Sequence, residues 1–331
     1  MTEITRNPAI SCVLPTHNGS KYIDQSIQSV VDQTFTDWEL IIVDDASSDD
    51  TLQKIRGWAN REERIRIIAL LENRKLPGAL NEGFRVAAGK YFTWTSDDNL
   101  YRAAAFARML AVVETCPEID VVYTDYTNID DQGTELSRRS IGPTSGLAAG
   151  NSIGASFLYR REVQEMLGGY AENLFLVEDY DFWLRASNRF RFEPLHEDLY
   201  LYRWHETSLT TQRASQIWLR HEELLASHLP HLKWLDNTAR ATAFLRLARL
   251  AKHNGRPAKR REYLIRAFQL VPTAVIRDRA QSFLAWLKRH PAVRPVIALA
   301  RRVRNLLWRR NAGLPGSSPS PQAQESEPAK V

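Results

Sequence analysis

Four short polar clusters interrupt the first two hundred residues, and three of them set carboxylates side by side. These three are Val43-Asp44-Asp45-Ala46-Ser47-Ser48-Asp49-Asp50-Thr51, Thr95-Ser96-Asp97-Asp98-Asn99 and Glu178-Asp179-Tyr180-Asp181. Adjacent carboxylates repel, so a counter-charge or a donor-rich ligand stabilises them. A carboxylate such as Asp45 can accept hydrogen bonds from a base N–H or a ribose hydroxyl. A pair such as Asp97-Asp98 can offer hard oxygen ligands to Mg²⁺ or Mn²⁺, which often take only one or two carboxylates and fill the remaining positions with phosphate oxygens and water. Asp179 can act as a general base toward a hydroxyl. Each cluster also has a structural reading. Ser48, Asp49 or Asp50 can cap a helix starting near Thr51, Asp97-Asp98 can cap one starting near Arg102, and Asp179 can cap its own helix. The fourth cluster, Pro15-Thr16-His17-Asn18-Gly19, pairs a strand-stopping proline with a tight Asn-Gly turn, so that backbone and side chains can face a flat ligand.

The elements that position these clusters follow from hydrophobic periodicity. Ala9–Leu14 reads as a buried strand. Ile23, Ile27, Val30 and Val31 then recur at helical spacing. Trp38–Val43 is a second strand and Thr51–Ala59 a helix. Ile65–Leu71, Gly78–Ala88 and Tyr91–Thr95 continue the alternation as strand, helix and strand. This order predicts an α/β fold with a mostly parallel sheet and helices on both faces. Ligands in such sheets bind at the carboxyl ends of strands, where Asp44-Asp45 and Asp97-Asp98 both fall. After a helix over Arg102–Thr115 the pattern changes. Short strands at Val121–Tyr123, Ile153–Tyr159 and Leu199–Trp204, with a hairpin turn at Asp131-Gln132-Gly133, predict a mixed or antiparallel extension holding an acceptor site. In the last acidic cluster Phe182 and Trp183 read as core, and Arg185 can pair with Glu178 or Asp181 along a helix.

The order Pro15-Thr16-His17-Asn18, Val43-Asp44-Asp45-Ala46-Ser47, Ser96-Asp97-Asp98, Glu178-Asp179 resembles the family 2 glycosyltransferases of GT-A fold. Asn73, Gly78, Asn81 and Gly89-Lys90-Tyr91 also match that family's pattern. The resemblance covers roughly residues 8–210. It implies that Pro15, Thr16, His17 and Asn18 line a nucleotide pocket, that Asp45 binds base or ribose, and that Asp97 lies at the ribose or the metal's surroundings. Asp98 would ligate Mn²⁺ or Mg²⁺, and Asp179 would be the base of an inverting, single-displacement transfer from a nucleotide-diphosphate sugar. His205 is a further candidate for metal or diphosphate, set against a reading as a satisfied surface histidine. The sequence departs from the family at three places. His17 stands where Tyr is common, Ser96-Asp97-Asp98-Asn99 replaces the frequent Asp-x-Asp spacing, and Tyr202-Arg203-Trp204-His205 has no Gln three residues before Arg203. The last departure points to addition of a single sugar rather than processive synthesis.

Charge is divided unevenly along the chain. Residues 1–210 carry 21 basic and 32 acidic side chains, whereas residues 211–310 carry 22 and 5. The acidic part argues against nucleic acid as a partner, and the basic part would suit an anionic membrane surface. The expected organisation is a catalytic domain over 1–210, a basic helical extension over 211–312 and a disordered tail over 313–331. Within the extension, helices are expected at Ala239–His253 and Pro257–Leu270, and Val293–Trp308 reads as a basic amphipathic helix that could lie on a membrane or pack on its own domain. No apolar run reaches the roughly 20 residues of a membrane span. Two cysteines, Cys12 and Cys116, are too few for a disulfide framework. A cytoplasmic location, on the inner face of the cell membrane where the acceptor is a lipid-linked saccharide, is the resulting expectation. Two alternatives remain at this level. A sugar nucleotidyltransferase would need a Gly-rich, basic first loop, and a membrane-associated adaptor with a decayed site would be free to lose Asp45, Asp98 and Asp179.

Overall fold

The computed structural model describes residues 7–289. Its strands, in chain order, are β1 (Ile10–Thr16), β2 (Trp38–Asp44), β3 (Ile65–Ala69), β4 (Tyr91–Trp94), β5 (Leu100–Tyr101), β6 (Val121–Ile129), β7 (Glu135–Arg139), β8 (Phe157–Arg160) and β9 (Phe192–Arg203). The helices are α1 (Ile23–Val31), α2 (Thr51–Ala59), α3 (Lys75–Val86), α4 (Ala105–Thr115), α5 (Arg161–Leu167), α6 (Glu178–Ala186), α7 (Leu209–Gln212), α8 (Ala214–His228), α9 (Asn237–His253), α10 (Pro257–Leu270) and α11 (Pro272–Arg289). The strands form one sheet in the order β3-β2-β1-β4-β8-β6-β9-β5, with β7 on the side of β6.

The first four strands are parallel to one another. Their unbroken apolar runs have a direct cause, because both faces of the sheet are covered. Cys12, Leu14, Leu40 and Ile42 face a cluster with Ile23, Ile27 and Ile55 of α1 and α2 and Phe106 and Met109 of α4. Val13, Ile41 and Val43 face the opposite cluster, built from Ala79, Leu80 and Phe84 of α3 and from Phe182 and Trp183 of α6. Beyond β4 the sheet becomes mixed. β8 runs antiparallel to β4 and β6, β6 pairs with β9 in parallel, and β7 turns back on β6 through the Asp130–Thr134 hairpin. The chain passes from sheet to helix at Ala214 without a break in packing, since Leu224, Leu225, Leu247 and Ala248 join the α3–α6 cluster. The described residues up to Val275 are accordingly one compact unit.

Four expectations need adjusting. The strand expected over Ile153–Tyr159 is limited to Phe157–Arg160, because Gly154 adopts φ +75 and the chain before it is loop. The short strand expected at Val121–Tyr123 is nine residues long, and that expected at Leu199–Trp204 begins at Phe192. Pro15 stops the ladder on one side only. The Val13 carbonyl accepts the last bond from the β4 side (Thr95 N–H, 3.0 Å), and Thr16 faces β2, where its carbonyl accepts from Asp45 N–H at 2.8 Å. By strand alternation the missing N–H of Pro15 falls on the β4 edge just after that ladder ends, where it is not needed. The two expected helices of the extension appear as α9 and α10, turning at Gly255 with φ +67. The expected Val293–Trp308 helix and 313–331 tail lie outside the described residues. No helix among the described residues is long and apolar enough to cross a membrane.

Candidate active site

The ends of β1, β2 and β4 bring the first three clusters together. Thr16 Oγ1 donates to Asp97 Oδ2 at 2.5 Å, so the end of β1 and the turn after β4 share a carboxylate. This contact dictates the residue at 19. A Cβ on Gly19 would stand 2.0 Å from Asp97 Oδ2 and 2.5 Å from Thr16 Oγ1. Only glycine lets the turn approach this closely. The first turn is locked to the second cluster as well. Asn18 and Ala46 both hold positive φ, at 58° and 59°. Asn18 N–H donates to Ser47 Oγ at 2.9 Å, and Asn18 Oδ1 accepts from Ser48 N–H at 2.8 Å. His17 Nδ1 lies 2.8 Å from the Asp45 carbonyl oxygen. The Asp45 carboxylate is buried and takes the backbone N–H of Arg74 at 2.6 Å. Burial nevertheless raises its proton affinity, the Arg74 N–H opposing that effect. The capping reading of this cluster holds for Asp49, whose Oδ1 accepts Thr51 N–H at 3.0 Å, whereas Asp50 occupies the cap position without a side-chain bond.

Asp97 and Asp98 face different partners. Asp97, beside Thr16, is pushed up to about 7, first by burial and then by the Asp98 charge. Asp98 points toward the end of β9. Its Oδ2 lies 3.0 Å from His205 Nε2, while its Oδ1 is buried without a hydrogen-bond partner. The other ring nitrogen of His205 is 2.7 Å from Thr207 Oγ1, which fixes the ring, and the His205 side chain is only 9% exposed. His205 is therefore hydrogen-bonded at both ring nitrogens, as a satisfied histidine would be, but it is not on the surface. The sheet explains the meeting: β5 pairs Leu100 with Leu201 and Tyr101 with Tyr200 of β9, so the turn bearing Asp98 and the chain leaving β9 run side by side.

Asp179 opens α6. Its Oδ2 accepts from Asn151 Nδ2 at 2.8 Å and its Oδ1 from Tyr180 N–H at 2.6 Å, two donors that favour the carboxylate while burial raises its proton affinity. The phenol of Tyr202 is raised by burial first, the Thr210 hydroxyl opposing, with the charges of Asp98 and Asp179 adding to the rise. Two residues before α6, Leu176 holds φ +82, an unusual conformation for a branched side chain and one that persists where surrounding structure enforces it. Phe182 and Trp183 are fully buried, and Arg185 pairs with Asp181 (2.7 Å) rather than Glu178.

Glu178 is buried with Oε2 unpartnered, and it is pushed up to about 8 by burial and then by Asp179. Its ordinary value is 4.5. Between these values the folded protein keeps a proton that the unfolded chain has released, so stability falls as pH rises through that window and levels off above it. Glu178→Gln should remove this slope. The variant should match wild type near pH 4.5 and exceed it by up to a few kcal/mol at pH 8 and above. Urea unfolding at several pH values tests this; parallel stability profiles would refute the buried-acid assignment.

Several participants were not read as site residues from the sequence. Asn151, Arg203 and Asn99 reach their partners across 28, 105 and 104 positions respectively. Only the polar character of these residues within apolar surroundings could have marked them.

No three His, Cys, Asp or Glu residues among the described residues cluster as a metal cage. Asp98 and His205 are two ligand residues, and the unpartnered buried Oδ1 of Asp98 is the kind of oxygen that a hard cation satisfies. The residues thus fit a cation that completes its shell with diphosphate and water.

Comparison with known proteins agrees with this geometry. The sequence model described as glycosyl transferase family 2 matches residues 11–171. The O-antigen biosynthesis protein RfbC of Myxococcus xanthus is 29% identical over 192 residues, covering 56% of this chain and 15% of RfbC. The putative teichuronic acid biosynthesis glycosyltransferase TuaG of Bacillus subtilis is 25% identical over 236 residues, covering 69% of this chain and 92% of TuaG. The chain spans between 15% and 33% of the length of the first three curated relatives it matches. Among solved structures, S. aureus TarS residues 1–349 superpose with a TM-score of 0.59 at 18% identity, covering 80% of this chain and 82% of that one. The mannosyltransferase PcManGT of Pyrobaculum calidifontis, solved with GDP-Man and Mn²⁺, gives 0.56 at 17% identity, covering 84% and 81%. These likenesses establish the fold. Residues 11–171, which carry the first three clusters, match glycosyl transferase family 2, and the chain has the GT-A architecture of these solved structures.

Proposed function

We propose that the chain is an inverting glycosyltransferase that moves a single sugar from a nucleotide-diphosphate sugar to an acceptor hydroxyl. One observation carries this reading: each acidic cluster leaves a buried carboxylate oxygen without a protein partner, namely Asp44 Oδ1, Asp98 Oδ1 and Glu178 Oε2. Unpaired buried acceptors are costly, and a ligand rich in donors or a cation removes that cost. In the proposed reaction Asp179, oriented by Asn151 and the Tyr180 N–H, takes the proton of the acceptor hydroxyl. The acceptor oxygen bonds to the anomeric carbon as the bond from that carbon to the diphosphate oxygen breaks, and the nucleoside diphosphate leaves with the electron pair. Pro15, Thr16, His17, Asn18 and Asp45 line the nucleotide side, with Asp97 tied to them through Thr16. Asp98 and His205 would hold Mn²⁺ or Mg²⁺, which when bound supplies Lewis-acid neutralisation of the diphosphate. Turnover of a panel of UDP- and GDP-sugars should require the cation and stop with EDTA; undiminished turnover in EDTA would remove the metal from this reading.

The relatives' names support a place in cell-surface polysaccharide or glycolipid assembly, with a saccharide or lipid-linked saccharide as acceptor. The absence of Gln at position 200, where Tyr200 stands, supports single addition. A lipid-linked acceptor would place the enzyme in the cytoplasm at the inner face of the membrane, and the basic stretch beyond residue 289 suits an anionic surface. Deleting residues 290–331 should then lower co-sedimentation with anionic vesicles at least several-fold. Unchanged co-sedimentation would exclude that stretch as the membrane contact.

A further inference from the structure

The side chain of Arg203 is one of the largest fully buried groups among the described residues, 1% exposed, yet its guanidinium has no carboxylate partner among them. Its donors go elsewhere. Nε donates to the Asp98 carbonyl at 2.9 Å, one terminal nitrogen to the carbonyls of Asp130 and Asp131 at 3.2 and 3.1 Å, and the other to Gln25 Oε1 at 2.7 Å. The guanidinium carbon lies 4.6 Å from the centre of the Tyr22 ring, which in turn packs on His205 at 5.0 Å. The backbone N–H of Arg203 donates to Asn99 Oδ1 at 2.8 Å. One planar cation thus joins the turn after β4, the β6–β7 hairpin, α1 and the end of β9.

We propose that Arg203 is the positioning residue of the cation site, aiming Asp98 and His205 by holding the Asp98 carbonyl and the Tyr22 ring. This rests on the reading of Asp98 and His205 as ligands. The physical case is geometric. Asp98 and His205 lie on segments with no ladder bonds between them, since β5 begins at Leu100 and β9 ends at Arg203. Something must set the distance between their side chains. Arg203 sits two residues before His205 and grips the main chain of Asp98 itself. Four oxygens converge on the guanidinium from three separate segments, a pattern that its flat fork of five donors can satisfy and a three-donor ammonium cannot. Residues behind metal ligands typically change metal affinity or activity by about 10- to 100-fold when altered.

The test is Mn²⁺ binding by the full chain, followed through loss of the free-ion EPR signal, together with the melting temperature of the apo protein. Arg203→Lys keeps the charge and removes the fork, and should weaken Mn²⁺ binding by about 10-fold or more. Gln25→Ala removes only the distal acceptor from an exposed helix position, so it keeps the fold and should weaken binding in the same direction by a smaller factor. If wild type binds no Mn²⁺, the ligand assignment of Asp98 and His205 fails. If wild type binds and both variants bind equally well, Arg203 does not position the site, whatever happens to their melting temperatures. If Arg203→Lys does not fold, wild-type affinity in Gln25→Ala overturns the proposal by itself.

Discussion

Asp179→Asn is expected to reduce transfer by about 10²- to 10⁴-fold, the usual worth of a general base, while nucleoside diphosphate binding stays close to wild type. The substitution keeps the shape of the side chain. It removes the one atom that can take the proton. Two carboxylates lie next to each other here, and their surroundings distinguish them. Asp179 receives two donors, Asn151 Nδ2 and Tyr180 N–H, which favour the charged form a base requires against the burial that opposes it. Glu178 is buried with one oxygen unpartnered, and burial and then the Asp179 charge favour its protonated form, which suits a base less well. Burial also raises Asp179, so activity should fall with decreasing pH at a higher point than an ordinary carboxylate would give. The acidic limb of kcat/KM and a thermal-shift titration with nucleoside diphosphate separate the roles. If Asp179→Asn loses nucleotide binding, the residue belongs to the donor pocket. If Glu178→Gln, with its fold intact, loses transfer while Asp179→Asn keeps it, the base is Glu178.

The sequence made the scaffold legible because the scaffold rests on local rules. Unbroken apolar runs such as Leu40–Val43 are what a strand covered on both faces must carry, and the acidic pairs fall where such strands end. The cap candidates around Asp49 were legible for the same reason, since an Asx side chain and an N–H two residues on are neighbours in any fold. Contacts across the sheet were not. That His205 meets Asp98 depends on β5 docking against β9, a two-residue strand too short for any periodicity to reveal. Asn151 reaches Asp179 from a loop between Gly150 and Gly154, a segment for which no periodicity assigned a place. Leu176 at positive φ contradicts the preference of its own side chain, so only the packed structure can require it. Arg203 appeared in the sequence merely as part of an incomplete motif. Its role depends on carbonyl oxygens, which every residue has and no sequence distinguishes.

Asp98→Asn should abolish the cation-dependent part of the reaction, lowering turnover by about 10²-fold or more, since charge stabilisation at a departing group is commonly worth several kcal/mol. The spacing in Ser96-Asp97-Asp98-Asn99 leaves either carboxylate eligible, and the structure separates them. Asp97 turns back to the first cluster, held by Thr16 in a space that Gly19 keeps open. Asp98 turns outward to His205 and keeps one oxygen free. Its charge is also the second cause that lifts Asp97 to about 7, so removing it should let Asp97 ionise more readily. A thermal-shift series resolves the assignment without relying on turnover. Nucleoside diphosphate with Mn²⁺ should raise the melting temperature of wild type more than nucleotide alone, because a ligand confined to the native state stabilises it. That increment should vanish in Asp98→Asn, shrink in His205→Ala and survive in Asp97→Asn. If it instead survives in Asp98→Asn and vanishes in Asp97→Asn, the cation belongs to the carboxylate beside Thr16, and His205 serves only to hold the turn.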